Sequence, residues 1–136
     1  FMRSTNFGDN WTNPVKLGDD KNKRHQYLPR MSVDQTTGFI YVIYFDRDNY
    51  EDNQTDVFLA YSTDGGSSFK NIKVSEEPFT PTGSTLISYN NISAHKGIIV
   101  PIWTRIDDGK VSVWTSIIKQ SEIIQAAASS GKKKKS

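Results

Sequence analysis

The sequence contains no cysteine. A disulfide framework and a thiolate metal site are therefore excluded, while the compartment stays open, because many secreted bacterial proteins also lack the residue. No hydrophobic run approaches the roughly 18 residues that a membrane-spanning helix needs, and no signal peptide opens the chain. The start, Phe1-Met2-Arg3-Ser4, reads as a processed or truncated end. Histidine is limited to His25 and His95, and neither has metal-ligand spacing. No phosphate loop and no Ser-His-Asp order stands out. There is also no excess of one charge. The formal net charge is +2, and four of the positives are Lys132 to Lys135, so the rest of the chain stands at −2. Nucleic-acid binding would need a basic stripe in the folded region, and none is present.

What remains is a 136-residue chain, enough for one domain with a modest core. Its aromatic side chains, 12% of the total, are spread along the chain, which suits separate sheets that each need anchors. Sequons at Asn10, Asn53 and Asn91 occur at about the chance frequency for an Asn- and Thr-rich chain, so they carry no reading.

The sequence repeats itself. Ser4-Thr5-Asn6-Phe7-Gly8-Asp9-Asn10-Trp11 and Ser62-Thr63-Asp64-Gly65-Gly66-Ser67-Ser68-Phe69 both follow Ser-X-Asp/Asn-X-Gly-X-X-aromatic, and they begin 58 positions apart. That is the length of about four strands with their loops. A second repeat is a β-branched and aromatic run launched by Gly and ended by Arg: Gly38 to Arg47, and Gly97 to Arg105. Short amphipathic runs follow at Asp56 to Tyr61 and Lys110 to Ile118, where Val111-Ser112-Val113-Trp114-Thr115-Ser116-Ile117 has the period of two that marks a strand. Helical periodicity is weak everywhere and highest at Ser121 to Ala128. Ser129 to Ser136 reads as a disordered or appended polar tail.

The octapeptides resemble the Asp box of sialidases and the wider BNR-repeat proteins, and the strand repeat between them extends the resemblance over residues 1 to 118. The resemblance implies an all-β fold of four-stranded antiparallel blades from a β-propeller, incomplete in this chain. Residues 1–20 would end one blade, 26–75 would form a full one and 84–118 most of a third, with 119–136 a low-complexity tail. Strands are expected over residues 1–6, Asn13 to Leu17, Arg30 to Asp34, 39–46, 56–61, Lys70 to Val74, Tyr89 to Ala94, 98–104 and 110–118. The box residues Ser4, Asn6, Gly8, Trp11, Ser62, Asp64, Gly66 and Phe69 are expected to be structural. The carboxamide or carboxylate takes backbone N–H groups, Gly supplies a positive φ, and the aromatic packs beneath the turn. In the family these turns lie opposite the active site.

A sialidase fixes its substrate carboxylate with three arginines, and it uses a tyrosine nucleophile paired with glutamate and a separate acid. The family's Phe/Tyr-Arg-Ile-Pro motif is missing here, since Thr104-Arg105-Ile106-Asp107 lacks both the aromatic and the proline. Arg47 and Arg105 are the best substrate-binding arginines, because both end second strands. The simpler account pairs each with a neighbouring acid, Asp46 or Asp107. No catalytic residue is assigned. Tyr50-Glu51 is adjacent in sequence, but strand neighbours point to opposite faces. The oxygen-rich loop Asp46 to Asp52 could hold Ca²⁺, although it lacks EF-hand spacing and is more simply a solvated acidic loop. The expectation is thus a non-catalytic part of a secreted or cell-surface propeller that binds glycan or protein. The alternatives are a fragment of an active exo-sialidase with its catalytic residues elsewhere, and a structural surface module. Partners would be the remainder of a larger propeller or other copies of the chain.

Overall fold

The computed structural model describes residues 1–19, 21–81 and 89–132, which form an N-terminal hairpin, two four-stranded antiparallel sheets and one helix. In the first sheet β1 (Gln26–Val33), β2 (Ile40–Asp46), β3 (Asp56–Ser62) and β4 (Lys70–Lys73) lie side by side in chain order. The last three stand where the apolar runs predict them. β1 begins earlier than Arg30 because it continues through a bulge. Leu28 sits at a φ of 53° and Pro29 has no N–H for the ladder, so the register with β2 shifts between Tyr27 and Arg30.

The second sheet holds β5 (Asn90–His95), β6 (Ile98–Asp107), β7 (Lys110–Thr115) and β8 (Ile118–Lys119). β7 pairs with β6 from Ile102 onward and β8 pairs with Ile98 and Ile99, so the two lie along one edge of β6. They are the single strand expected over 110–118, interrupted opposite Pro101. The Pro101 carbonyl accepts the Thr115 hydroxyl at 2.8 Å and the Ser116 N–H at 3.4 Å, but proline has no N–H to return. The start of the expected third unit, 84–88, falls outside the described residues.

No strand forms over residues 1–19, contrary to the expectation for residues 1–6 and Asn13 to Leu17. A short ladder takes its place. Thr12 N–H donates to the Arg3 carbonyl at 2.9 Å, and Phe1 and Val15 exchange two bonds of 2.8 Å. Continuing the Arg3–Thr12 register would set Phe1 opposite Pro14, which has no donor. Val15 substitutes, the ladder slips by one residue, and regular pairing is lost.

β2 lies at the centre of the packing. Tyr41, Ile43 and Phe45 face the second sheet and join Val57, Leu59, Tyr61, Phe79, Ile92, Ile99 and Trp103 in the main core. Ile40, Val42 and Tyr44 face the other way and are covered by Phe1, Leu17 and Phe69. The result is three layers: hairpin, first sheet, second sheet. Burial on both faces explains why the β2 sequence is a continuous apolar run without alternation.

The chain after β8 is ordered further than expected. α1 (Gln120–Lys132) covers the anticipated Ser121 to Ala128 and also runs into the segment expected to be disordered, while residues 133–136 lie outside the described residues. Alanines at 126–128 favour the helix and Glu122 in its first turn complements the dipole. The anchor is tertiary. Ile123 is buried in the main core and its carbonyl accepts the Tyr61 hydroxyl at 3.3 Å.

One buried acid clasps the two sheets together. Asp34, in the β1–β2 turn, is fully buried. Its Oδ1 accepts the hydroxyl and N–H of Thr36 at 2.6 and 2.9 Å, and its Oδ2 accepts the N–H of Gly97, in the β5–β6 turn, at 2.7 Å. The Gly97 carbonyl accepts Gln120 N–H at 2.9 Å, and Gln120 Oε1 accepts the Tyr41 hydroxyl at 2.9 Å. The bonds from Thr36 and Gly97 outweigh burial and hold the Asp34 carboxyl well below the usual carboxylate range. A depressed carboxylate contributes stability that is present above its unfolded value, near 4, and is lost as the pH falls through the lower folded value. The melting temperature is therefore expected to drop on acidification below about pH 4. Asp34→Asn should melt lower at pH 7 and show a shallower acid decline. Circular-dichroism melts from pH 2 to 7 check this, and an unchanged acid limb in the variant would count against the clasp.

Candidate functional site

The two repeated octapeptides fold into the same hydrogen-bonded turn. In the second, Ser62 Oγ donates to Asp64 Oδ1 at 2.7 Å and accepts Gly66 N–H at 2.8 Å, while Asp64 Oδ1 accepts Ser68 N–H at 2.9 Å. In the first, Ser4 Oγ donates to Asn6 Oδ1 at 2.9 Å and accepts Gly8 N–H at 2.8 Å, while Asn6 Oδ1 accepts Asn10 N–H at 3.0 Å. Gly8 and Gly66 occupy the same left-handed conformation, at φ of 96° and 85°. Gly65 adopts φ 67° without strain, whereas its counterpart Phe7 does so at 58° with a Cβ. The Ser68 hydroxyl and amide, with the Ser62 hydroxyl, keep the Asp64 carboxyl far below its ordinary value. The closing aromatics differ. Phe69 packs edge-on against Phe1 at 5.2 Å, while Trp11 is 59% exposed, with no layer of the described residues beyond the hairpin to receive it.

The second turn joins β3 to β4 at the end where β2 begins, so it stands opposite Arg47, which follows the other end of β2. The structure brings Arg47 and Arg105 to the same end of the layer between the sheets. A run of rings separates them: Arg47 lies 5.1 Å over Tyr27, Tyr27 packs on Phe45, Phe45 on Phe79, and Arg105 lies 5.6 Å from the Phe79 ring. Phe79 is pinned by exchanging backbone bonds with Thr55, whose hydroxyl also meets Tyr27 and Arg47 Nε.

The two arginines differ in what is left to them. Arg105 is buried between Phe79 and Trp114, with the Trp114 ring at 4.7 Å, and it forms a two-pronged pair with Asp107, both contacts at 2.5 Å. Those bonds hold the Asp107 carboxyl below the usual range. Arg47 does not pair with Asp46. Its Nε and Nη1 donate to Thr55 Oγ1 at 3.3 Å and Asn53 Oδ1 at 3.2 Å, and its Nη2 meets no acceptor among the described residues. Strand geometry accounts for the contrast. Residues two apart, such as 105 and 107, share a face, whereas adjacent residues 46 and 47 point apart.

The aspartates of the acidic loop have defined environments. Asp46 accepts Gln26 Nε2 at 2.7 Å and Asp48 N–H at 2.6 Å, and burial, with lesser repulsion from Asp48 and Asp56, pushes it up. Asp48 accepts three backbone amides, and Asp52 accepts the Gln54 amide. Asp56, opposite Asp46 across the β2–β3 ladder, is balanced by Lys73 Nζ at 3.0 Å. No cluster of three metal-capable side chains occurs among the described residues. Tyr50 donates to Asp56 at 2.9 Å; burial first, and then Asp56, pushes its hydroxyl up to about 12. His25 and His95 are both exposed.

Sequence reasoning missed Thr55, Phe79 and Tyr27, which carry no motif, and it passed over the basic run Lys21 to His25, a readable signal just ahead of β1. It also gave no hint of Asn90 Oδ1 and Trp103 Nε1, cross-strand partners buried without a hydrogen bond. No helix among the described residues is long and apolar enough to cross a membrane. In comparison with known proteins, no family model matches the chain and no curated protein matches it.

Arg105 is thus part of the packing. Arg105→Ala should cost about 1–3 kcal/mol, combining lost charge-assisted bonds with two ring contacts. Urea unfolding followed by circular dichroism measures this, and a midpoint equal to that of the unaltered chain would remove Arg105 from the packing account.

Proposed function

We propose that the chain is a non-catalytic part of an Asp-box β-propeller of the sialidase-like kind, secreted or cell-surface, whose strand-end loops recognise a glycan or a protein. The observation that carries the reading is the matching hydrogen-bond network of two turns 58 positions apart. The layering supports it as well: a hairpin, a four-stranded sheet and a second sheet pack face to face, as successive units of one repeat would. The loop end gives the recognising surface, because the turns occupy the opposite end. A non-catalytic role is supported by Arg105, whose forked donors are committed to Asp107.

So few units do not close a ring, and a face is left over. The outer side of the second sheet exposes Ile98, Ile102, Val111, Val113 and Ile117, the last at 72%. The corresponding burden on the first sheet is met by Phe1 and Leu17 of the hairpin. Further sheet units, from a longer protein or from other copies, complete the assembly in this reading. Size-exclusion chromatography with light scattering should show oligomer or aggregate, shifting toward the 15.4 kDa monomer in Val113→Lys. The same preparation should leave a fluorogenic sialoside uncleaved. A cooperative monomer would refute the assembly, and turnover lost in Arg105→Ala would refute the non-catalytic reading.

A further inference from the structure

The three Asn-X-Ser/Thr sequons, alike by frequency, are separated by their surroundings. Asn53 holds Arg47, whose Nη1 donates to its Oδ1 at 3.2 Å, and Thr55 of the same sequon is fully buried. The Thr55 hydroxyl is engaged by Tyr27, Arg47 and the Asn53 carbonyl. Asn91 is exposed in β5, but it lies opposite Ile102, on the outer face that further sheet units would cover. A sugar chain at Asn53 would break the Arg47 contact, and one at Asn91 would stand on that face.

Asn10 differs from both. It lies in the hairpin loop between Arg3 and Thr12, which a backbone bond of 2.9 Å closes. Its N–H donates to Asn6 Oδ1 at 3.0 Å, while its side chain is exposed and bonds to no group among the described residues. Thr12, the third residue of the sequon, is exposed as well. Its Oγ1 accepts the Arg3 N–H at 3.0 Å, so the hydroxyl proton stays available. Arg3 Nη1 donates to the Gly65 carbonyl at 2.6 Å, which sets the hairpin loop at the turn end of the first sheet, away from Arg47.

Two aromatic side chains flank Asn10 without cover. Phe7 is fully exposed although it sits at a φ of 58°, where its counterpart in the second turn is Gly65. Trp11 is more than half exposed, and its ring lies beside Gly8. The Asn6 carbonyl accepts the Asp9 N–H at 3.2 Å, which puts Phe7 and Gly8 at the bend, just ahead of Asn10. An exposed aromatic in a left-handed conformation is disfavoured twice, by hydration of its ring and by its Cβ. At full exposure the Phe7 ring has no contact that offsets either effect.

We propose that Asn10 is an N-glycan acceptor and that the first N-acetylglucosamine lays its apolar face on the Phe7 ring. The donor is an oligosaccharide carried on a lipid pyrophosphate. Asn10 Nδ2 attacks the anomeric carbon of the donor sugar, and the bond from that carbon to the phosphate oxygen breaks. The lipid pyrophosphate leaves with the electron pair, and Nδ2 gives one proton to a base of the transferase. The inference rests on the export part of the function proposed above.

Secretion of the chain from a eukaryotic host behind a cleavable leader, followed by peptide mapping of glycosidase-treated material, tests the assignment. Most secreted chains should carry one glycan, at Asn10, and Asn10→Gln should carry none. The glycosylated chain should melt about 3 °C above Asn10→Gln, the shift that one aromatic contact brings in a domain of this size. In Phe7→Gly, which keeps the sequon but removes the ring and the strain, the glycan should remain and its melting gain should vanish. For a chain retained in the host, translation into microsomes reads occupancy without requiring the fold, and a gel shift lost in Asn10→Gln is the expected result. An unmodified Asn10 in either system overturns the acceptor assignment, and equal occupancy at Asn53 or Asn91 in secreted chains overturns the argument from surroundings. A melting gain undiminished in Phe7→Gly overturns the stacking. None of these results bears on export itself, which fractionation of the cells that make the protein tests separately. Recovery in the cytosol alone would overturn both.

Discussion

Burial of β2 on both faces is the constraint around which the molecule is arranged. A strand whose alternate residues are all apolar has no side to give to water, so it must be covered twice. The hairpin meets one requirement with Phe1 and Leu17, and the second sheet meets the other with Ile92, Ile99 and Trp103. Each buried large side chain contributes roughly 1.5–3 kcal/mol, which is why the hairpin holds despite poor regular structure of its own. The N-terminal ladder shows this best. Its pairing is broken at Pro14, yet Phe1 stays in place because its ring packs on Phe69 and against Gly66.

Polar groups then fix how the layers sit. At one end Asp34 reaches across to Gly97, and α1 adds Gln120 to the same node. At the other end Thr55 gathers Tyr27 and Arg47 around its hydroxyl and holds the Phe79 backbone with its own N–H and carbonyl. The two ends differ in loop chemistry: a two-residue turn at Lys96-Gly97 meets Asp34 at the first, whereas at the second the longer segments after β2 and before β1 are joined through Asp48.

Much of the sheet structure was legible because its causes are local. Gly38 and Gly97 mark the starts of β2 and β6, and the period of two over Val111 to Ile117 marks β7. The turns were legible for the same reason, since Ser62, Asp64 and Gly66 bond within eight residues of one another. What was missed depends on distance. Nothing within Gln120–Lys132 announces that Ile123 will be buried against strands some sixty residues earlier. The candidate site was half legible. The two arginines were found, but their fates turned on face and partner: a two-residue spacing gave Arg105 to Asp107, and Tyr27 and Thr55, which no pattern links to Arg47, decided that Arg47 would keep a free edge.

The bridge between Thr55 and Phe79 has a topological consequence. β4 ends at Lys73 and β5 begins at Asn90, so the crossing from one sheet to the other would otherwise be a single long closure. Pinning Phe79 by two backbone bonds and its ring divides that crossing into two shorter loops. Loop entropy grows only slowly with length, so the gain lies less in the total than in reach: with Phe79 held on the first sheet, a shorter closure brings β5 to its place beside β1.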